Sequence, residues 1–121
     1  MKDLPELEGQ KKKIGYGIKI WLTYEGKSIL GAGWAKLLEI IDKEEVDSLT
    51  QAAKECNYSY KYAWNILKRI EKRTKIPPAI TSKGGKGGGG WVKLSDWGHF
   101  LLKKYKKLAE EIETLKKRLS I

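Results

Sequence analysis

The stretch SLTQAAKECNYSYKYAWNILKRI, residues 48–70, contains two helix signals separated by a short break. Each signal is a capping residue followed by helix-forming sequence: Ser48 before residues 49–56, and Ser59 before residues 60–74. Asn57 in the break tolerates the left-handed conformation that ends a helix. Two helices joined so tightly must cross closely, and Ala53 is small enough to lie at the crossing. The stretch therefore predicts a helix-turn-helix, although any compact αα-hairpin would use the same residues.

The second of these helices has two different faces. Apolar residues recur on it at i, i+3, i+4 and i+7, namely Ala63, Ile66, Leu67 and Ile70. The other face is polar and basic, with Tyr60, Lys61, Asn65 and Lys68, then Arg69 and Lys72 further along. In a recognition helix the first turns enter the major groove, where Lys can read guanine and Asn adenine. We expect Tyr60, Lys61 and Asn65 to face bases. The later cations are expected to contact phosphates: Lys68, Arg69, Lys72 and Arg73.

The flanking sequence predicts short strands and two further helices. Strand-forming residues occur at 18–24, 28–30, 79–82 and 91–94. Apolar residues recur at helical spacing over 34–42 and 96–118, which predicts two helices. With the central pair this gives the order β-β-α-α-α-β-β-α, that of a winged helix-turn-helix. The predicted fold class is mainly α with small β (α+β), with an N-terminal β-hairpin and a long C-terminal dimerisation helix. Trp64 is expected to pack at the edge of the core, with stacking near DNA as the alternative. Tyr62 is expected to pack beneath the wing hairpin.

A chain of 121 residues fits one domain. We assign residues 1–15 to a basic tail. Three residues break any regular pattern there: Pro5, Gly9 and Gly15. The winged helix-turn-helix domain takes residues 16–98, and residues 99–121 continue the C-terminal dimerisation helix.

Positive charge is concentrated in the middle and later part of the chain. Residues 54–107 hold 14 Lys and Arg against three acidic residues, within a chain of net charge +10. Such a concentration is typical of a polyanion binder, because neutralising phosphates releases condensed counterions. Charge of this kind also serves solubility, so it does not identify the partner by itself.

The glycine-rich stretch GGKGGGG, residues 84–90, lies between two predicted strands. It lacks the residue order G-x-x-x-x-G-K-[ST] of a phosphate-binding P-loop, and a predicted strand follows it instead of a helix. Both features argue against nucleotide binding. At the tip of a hairpin, or wing, glycines let the backbone approach a partner closely. Lys83 and Lys86 would then meet a phosphate or the minor groove. A plain turn without a partner would have the same composition.

The last predicted helix carries an apolar stripe with spacings of 4, 3, 4, 3 and 4 residues. Its members are Leu101, Tyr105, Leu108, Ile112, Leu115 and Leu119. This a/d pattern is typical of helix pairing, and its far end extends beyond what a small domain covers. We therefore expect an antiparallel or crossing homodimer, while the first half of the helix could pack on its own core.

Residues 48–107 resemble the N-terminal winged-helix domain of the molybdate-responsive transcriptional regulator (ModE) family. The motifs that carry the resemblance are QAAK at 51–54, SYKYAW at 59–64 and GGKGGGG at 84–90. The helix WAKLLEIID at 34–42 and the hairpin at 19–31 are similar too, so the resemblance covers about residues 17–108. A more distant likeness to LysR-type regulators is expected from the shared fold.

The resemblance implies a transcription factor that binds operator DNA as a dimer. Its DNA contacts would be Ser59, Tyr60, Lys61, Asn65 and the wing lysines Lys83 and Lys86. Family members that sense molybdate carry an oxyanion-binding domain after the winged helix. Because this sequence stops at Ile121, molybdate is not expected as a ligand.

The sequence argues against an enzyme, and no catalytic, cofactor or metal-binding residue is predicted. The single histidine, His99, has no cysteine or carboxylate at metal-ligand spacing. Cys56 is expected to be a small buried apolar group. No stretch approaches the ~20 apolar residues of a membrane span, and the N-terminus lacks the apolar core of a signal peptide. We therefore expect a cytoplasmic protein that does not bind a membrane. Its expected partners are double-stranded DNA and a second copy of the chain.

Three functions are consistent with these features. The first is a sequence-specific transcriptional regulator, and the second is an architectural, weakly sequence-specific DNA-binding protein of chromatin-like type. They differ in specificity, which is ~10³ or more over random DNA for a regulator and close to unity for a coating protein. The third is a protein-interaction module that uses the wing and the last helix.

Overall fold

The computed structural model describes residues 6–82 and 90–121. Its helices are α1 (Leu7–Lys11), α2 (Ala32–Ile41), α3 (Leu49–Cys56), α4 (Tyr60–Thr74) and α5 (Asp96–Leu119). Its strands are β1 (Trp21–Tyr24), β2 (Lys27–Gly31), β3 (Ala79–Thr81) and β4 (Val92–Leu94). The strands form two antiparallel pairs, β1 with β2 and β3 with β4. The α+β, mainly helical fold class predicted from the sequence is confirmed.

The core lies between α2, α3 and α4 and is closed by β2, β4 and the start of α5. The predicted inward stripe of α4 is confirmed, since its four members are buried: Ala63, Ile66, Leu67 and Ile70. Ala53 is also buried, as expected for the residue where α3 crosses α4. Trp64 packs against the edge of this core. Each large apolar side chain buried here contributes roughly 1.5–3 kcal/mol to folding.

The β1–β2 hairpin covers one side of the helical core. A two-residue turn closes it, with φ of 48° at Glu25 and 81° at Gly26. Positive φ at both central residues is what a type I′ turn requires, and this turn matches the twist of the strands. Ile29 and Leu30 on β2 are buried, so the hairpin is anchored through its second strand.

Hydrogen bonds fix the start of α5 against the end of α4. Ser95 Oγ accepts a bond from the Gly98 amide (3.1 Å) and donates one to the Pro77 carbonyl (2.6 Å). The indole Nε1 of Trp97 donates to Thr74 Oγ1 at 3.1 Å. Since Thr74 is the last residue of α4, these contacts set the direction in which α5 leaves the domain.

Two predictions about the N-terminal region were wrong. The tail contains the one-turn helix α1, where Lys11 Nζ lies 3.1 Å from Glu8 Oε1 at i, i+3 spacing; residues 1–5 lie outside the described residues. The first strand begins at Trp21 instead of residue 18. Trp21 pairs with Gly31, the last residue of β2, and α2 begins at the next residue, Ala32. Residues 18–20 therefore have no partner in this hairpin.

The helices of residues 6–82 and 90–121 include none with both the length and the apolar character needed to cross a membrane.

Candidate nucleic-acid interface

The turn between α3 and α4 determines how α4 is presented. Asn57 ends α3 with φ of 63°, the left-handed conformation predicted for it. The Tyr58 amide donates to the Ala53 carbonyl (2.8 Å), and the Tyr58 hydroxyl donates to the Gly33 carbonyl of α2 (2.8 Å). Burial raises the pKa of the Tyr58 phenol above its ordinary value. The ring of Tyr62 packs edge-on against Tyr58 at 5.0 Å, so its described contact is at this turn instead of beneath the wing.

Ser59 caps α4, as the sequence predicted. Its Oγ accepts a hydrogen bond of 3.0 Å from the Tyr62 amide. A hydroxyl that accepts one bond still has its own hydrogen to donate. The contact to DNA implied for Ser59 by the family resemblance is therefore compatible with its capping role and stays a prediction.

The face of α4 opposite the core is exposed along its length. Its members are the six residues predicted to face outward: Tyr60, Lys61, Asn65, Lys68, Arg69 and Lys72. We call this set the outward face. Along the helix axis it extends roughly 18 Å, longer than the ~12 Å width of the major groove. The outward face combines four cations with one amide and one phenol, the groups that bind phosphates and base edges.

Lys68 has local contacts that the sequence did not reveal. Its ammonium lies 4.7 Å from the centre of the Trp64 ring and 3.4 Å from Glu71 Oε1. Exposed contacts of this kind contribute about 1 kcal/mol or less, so they orient the lysine without preventing it from binding a phosphate.

Arg73, at the end of α4, has a structural contact with the hairpin. Its guanidinium donates a hydrogen bond to the Ser28 carbonyl of β2, which ties α4 to the β1–β2 hairpin. The two residues are 45 positions apart, and no sequence pattern links them. Arg69, one turn earlier, lines the same cleft between α4 and the hairpin.

The structure describes only the base of the predicted wing hairpin. Ser82 and Trp91 extend the pairing of β3 with β4. The Ser82 amide donates to the Trp91 carbonyl, and the Trp91 amide donates to Ser82 Oγ, both at 3.0 Å. Lys93 on β4 is exposed, with its ammonium 5.7 Å from the Trp91 ring. Lys83 and Lys86, the predicted wing contacts, lie outside the described residues.

The apolar stripe of α5 has two parts. Leu101 is only 2% exposed, because it packs into the core of its own chain. The partly exposed residues follow it: Tyr105, Leu108, Ile112 and Leu115, with Leu119 more exposed at 46%. Leu108 lies beside the segment that leads into β1, near Ile20 and Trp21. The surface that a second copy could cover therefore begins after Leu101.

His99 pairs with a carboxylate from a distant part of the sequence. Its Nε2 lies 2.7 Å from Asp42 Oδ1, which joins α5 to the end of α2. In the described part of the chain, no group of three or more His, Cys, Asp or Glu side chains could hold a metal ion. Cys56 is buried as predicted, and burial raises the pKa of its thiol.

Comparison with known proteins gives one informative match. No family model matches the chain. The molybdenum transport protein ModE of Azotobacter vinelandii is 34% identical to it over 85 residues. The aligned part covers 70% of this chain and 30% of that protein, so the chain spans less than a third of the length of its relative. The similarity supports a ModE-like family relationship over the aligned residues.

Proposed function

We propose that this protein is a DNA-binding transcriptional regulator that acts as a homodimer. In this proposal α3 and α4 form the helix-turn-helix, α4 is the recognition helix in the major groove, and β3 and β4 form the wing. Lys83 and Lys86 of the wing would contact the backbone or the minor groove. The ModE-like relationship supports a regulator over other helical proteins.

The outward face of α4 is the observation that carries the proposal. Six exposed residues with hydrogen-bonding side chains follow one another along a helix whose other side is fixed in the core. Tyr60, Lys61 and Asn65 lie on the first two turns, where recognition helices meet base edges. Arg69 and Lys72 lie further along and are suited to phosphates.

The dimer would form through the far part of α5. Its members on this surface are Tyr105, Leu108, Ile112, Leu115 and Leu119. Two recognition helices related by a two-fold axis could then address half-sites about one helical turn, roughly 34 Å, apart.

A titration with labelled duplex DNA tests the proposal. The wild-type chain should bind the region upstream of its own coding sequence and resist excess random competitor. Lys61→Gln and Asn65→Ala should each weaken this binding by about 1–3 kcal/mol, because each removes a base contact. Lys103→Gln is the matched control, since Lys103 is an exposed cation on α5. Equal effects of Lys61→Gln and Lys103→Gln would contradict the assignment of α4 as recognition helix.

The second candidate is an architectural protein with little sequence specificity. The balance of 14 basic to three acidic residues over residues 54–107 favours it, since this charge attracts any duplex. Equal binding to the upstream region and to a scrambled duplex, lost steeply as salt rises, would support this function instead.

A further inference from the structure

A cleft separates the C-terminal half of α4 from the β1–β2 hairpin and the start of α2. Its volume is about 310 Å³, at the lower end of the roughly 300–1,000 Å³ found for small-molecule sites. The side chains that give it chemical character are two arginines and two tryptophans: Arg69 and Arg73, with Trp21 and Trp34. We call this feature the arginine–tryptophan cleft.

The cleft is positively charged and without a counter-charge of its own. Among the described residues that line it, none is acidic. One guanidinium N–H of Arg73 bonds to the Ser28 carbonyl, which holds that side chain in place and leaves its other donors for a ligand. Guanidinium groups present planar, paired donors that match a carboxylate.

The aromatic lining adds a preference for a flat partner. Trp21 is 51% exposed, although an indole usually buries most of its surface, and Trp34 is partly buried against the core. Indole rings stack with other aromatic rings, and a ligand on Trp21 would cover its exposed face. The cleft therefore combines positive charge with aromatic surface.

We propose that the arginine–tryptophan cleft binds a small planar organic anion, with aromatic carboxylates as the ligand class. Arg69 and Arg73 hold the carboxylate, and Trp21 stacks on the ring. Lys61, Asn65 and Lys68 do not line this cleft, so among the residues of the outward face it shares Arg69 alone with the proposed DNA contacts.

Arg69 connects this site with DNA binding, a consequence that rests on the proposed function. The same side chain lies on the outward face, as a predicted phosphate contact, and lines the cleft. A carboxylate bound to Arg69 therefore competes with a DNA phosphate for it. By linkage, the anion weakens DNA binding by the factor by which DNA weakens anion binding.

Anion binding is tested without DNA, using benzoate as the probe. The indole N–H signals of the five tryptophans in a ¹⁵N–¹H NMR spectrum are assigned by Trp→Phe variants. Benzoate should shift the signals of Trp21 and Trp34 in a saturable way. The neutral benzyl alcohol and inorganic phosphate should bind at least about tenfold more weakly, because each lacks one of the two groups recognised.

Two charge-neutralising variants identify the cleft. Arg69→Gln should weaken benzoate binding about tenfold, the loss expected for one charge-assisted contact. Lys72→Gln is the matched control, since it removes an exposed cation of α4 that does not line the cleft. The proposal is overturned if benzoate shifts neither indole, if phosphate binds as tightly as benzoate, or if the two variants weaken binding equally.

Competition with DNA is measured separately, by repeating the duplex titration at saturating benzoate. We expect benzoate to weaken DNA binding by the wild type. It should not change DNA binding by Arg69→Gln. Unchanged DNA affinity would reject the competition, while the NMR titration still decides whether the cleft binds the anion. Loss of DNA binding under all conditions would contradict the proposed function and not the anion site.

Discussion

Gly98, on the first turn of α5, lies tightly against the backbone of Pro78. A Cβ atom at this position would lie 2.0 Å from the Pro78 carbonyl oxygen and 3.4 Å from a methyl carbon of Leu94. The obstructing atom belongs to the backbone, which also accepts the Ser95 amide bond at 3.0 Å. The helix can pack here only because the residue has no side chain.

We therefore expect Gly98→Ala to destabilise the protein. Overpacking of this kind costs roughly 1–3 kcal/mol, and it outweighs the gain of up to ~1 kcal/mol from the better helix propensity of alanine. Thermal and urea unfolding measure the difference. Gly9→Ala is the matched control, because Gly9 is also helical and has open space around it. Equal stability of the two variants would contradict the close approach.

Thr74 is a buried polar residue at the end of α4. Its Oγ1 donates to the Ile70 carbonyl at 2.9 Å and accepts the Trp97 indole N–H at 3.1 Å. Thr74→Val keeps the shape but leaves the indole donor without its acceptor. We expect a loss of about 1–3 kcal/mol in the free energy of unfolding. Thr50→Val on the exposed side of α3 should change stability far less.

At the scale of the element, the α3–α4 turn depends on one backbone conformation. Asn57 has φ of 63°, which costs most residues roughly 1–2 kcal/mol and glycine almost nothing. Asn57→Ala should therefore lower the free energy of unfolding by about 1 kcal/mol, whereas Asn57→Gly should be nearly neutral. Urea unfolding distinguishes the two. A larger loss for glycine than for alanine would contradict the left-handed turn.

The far part of α5 is the element on which the proposed dimer depends. Ile112 lies on the apolar stripe between Leu108 and Leu115 and is partly exposed in the single chain. Ile112→Asp would place an unpaired charge in the interface and should raise the dimer dissociation constant at least about 100-fold. Light scattering after size exclusion measures this. Glu111→Gln, on the exposed side, should leave the dimer intact. A wild-type chain that is monomeric at all concentrations would reject the dimer.

At the scale of the whole molecule, the proposed interface predicts a salt dependence that separates two kinds of contact. Each phosphate contact contributes about 0.9 to the slope of log K against log salt concentration. Lys72→Gln should therefore reduce the slope by about one, while Asn65→Ala should lower affinity and leave the slope unchanged. Titrations at several salt concentrations measure both. Equal slopes for wild type and Lys72→Gln would remove Lys72 from the phosphate contacts.

The sequence by itself determined the elements and the faces of the helices. Capping residues and apolar spacing are local properties, so Ser48, Ser59 and Ser95 mark the helix starts directly. The outward face of α4 follows from the same periodicity, because residues opposite an apolar stripe must face solvent. The one-turn helix α1 was missed, since it buries no residue and leaves no apolar pattern to detect.

Only the tertiary structure decided how these elements meet. The start of β1 depends on where its partner strand ends, and the burial of Leu101 depends on how α5 crosses the core. The pairs Arg73–Ser28 and His99–Asp42 join residues 45 and 57 positions apart. The arginine–tryptophan cleft likewise combines residues between Trp21 and Trp34 with Arg69 and Arg73, at least 35 positions later in the sequence. Contacts of this kind arise from packing over the whole chain, and local sequence patterns carry no information about them.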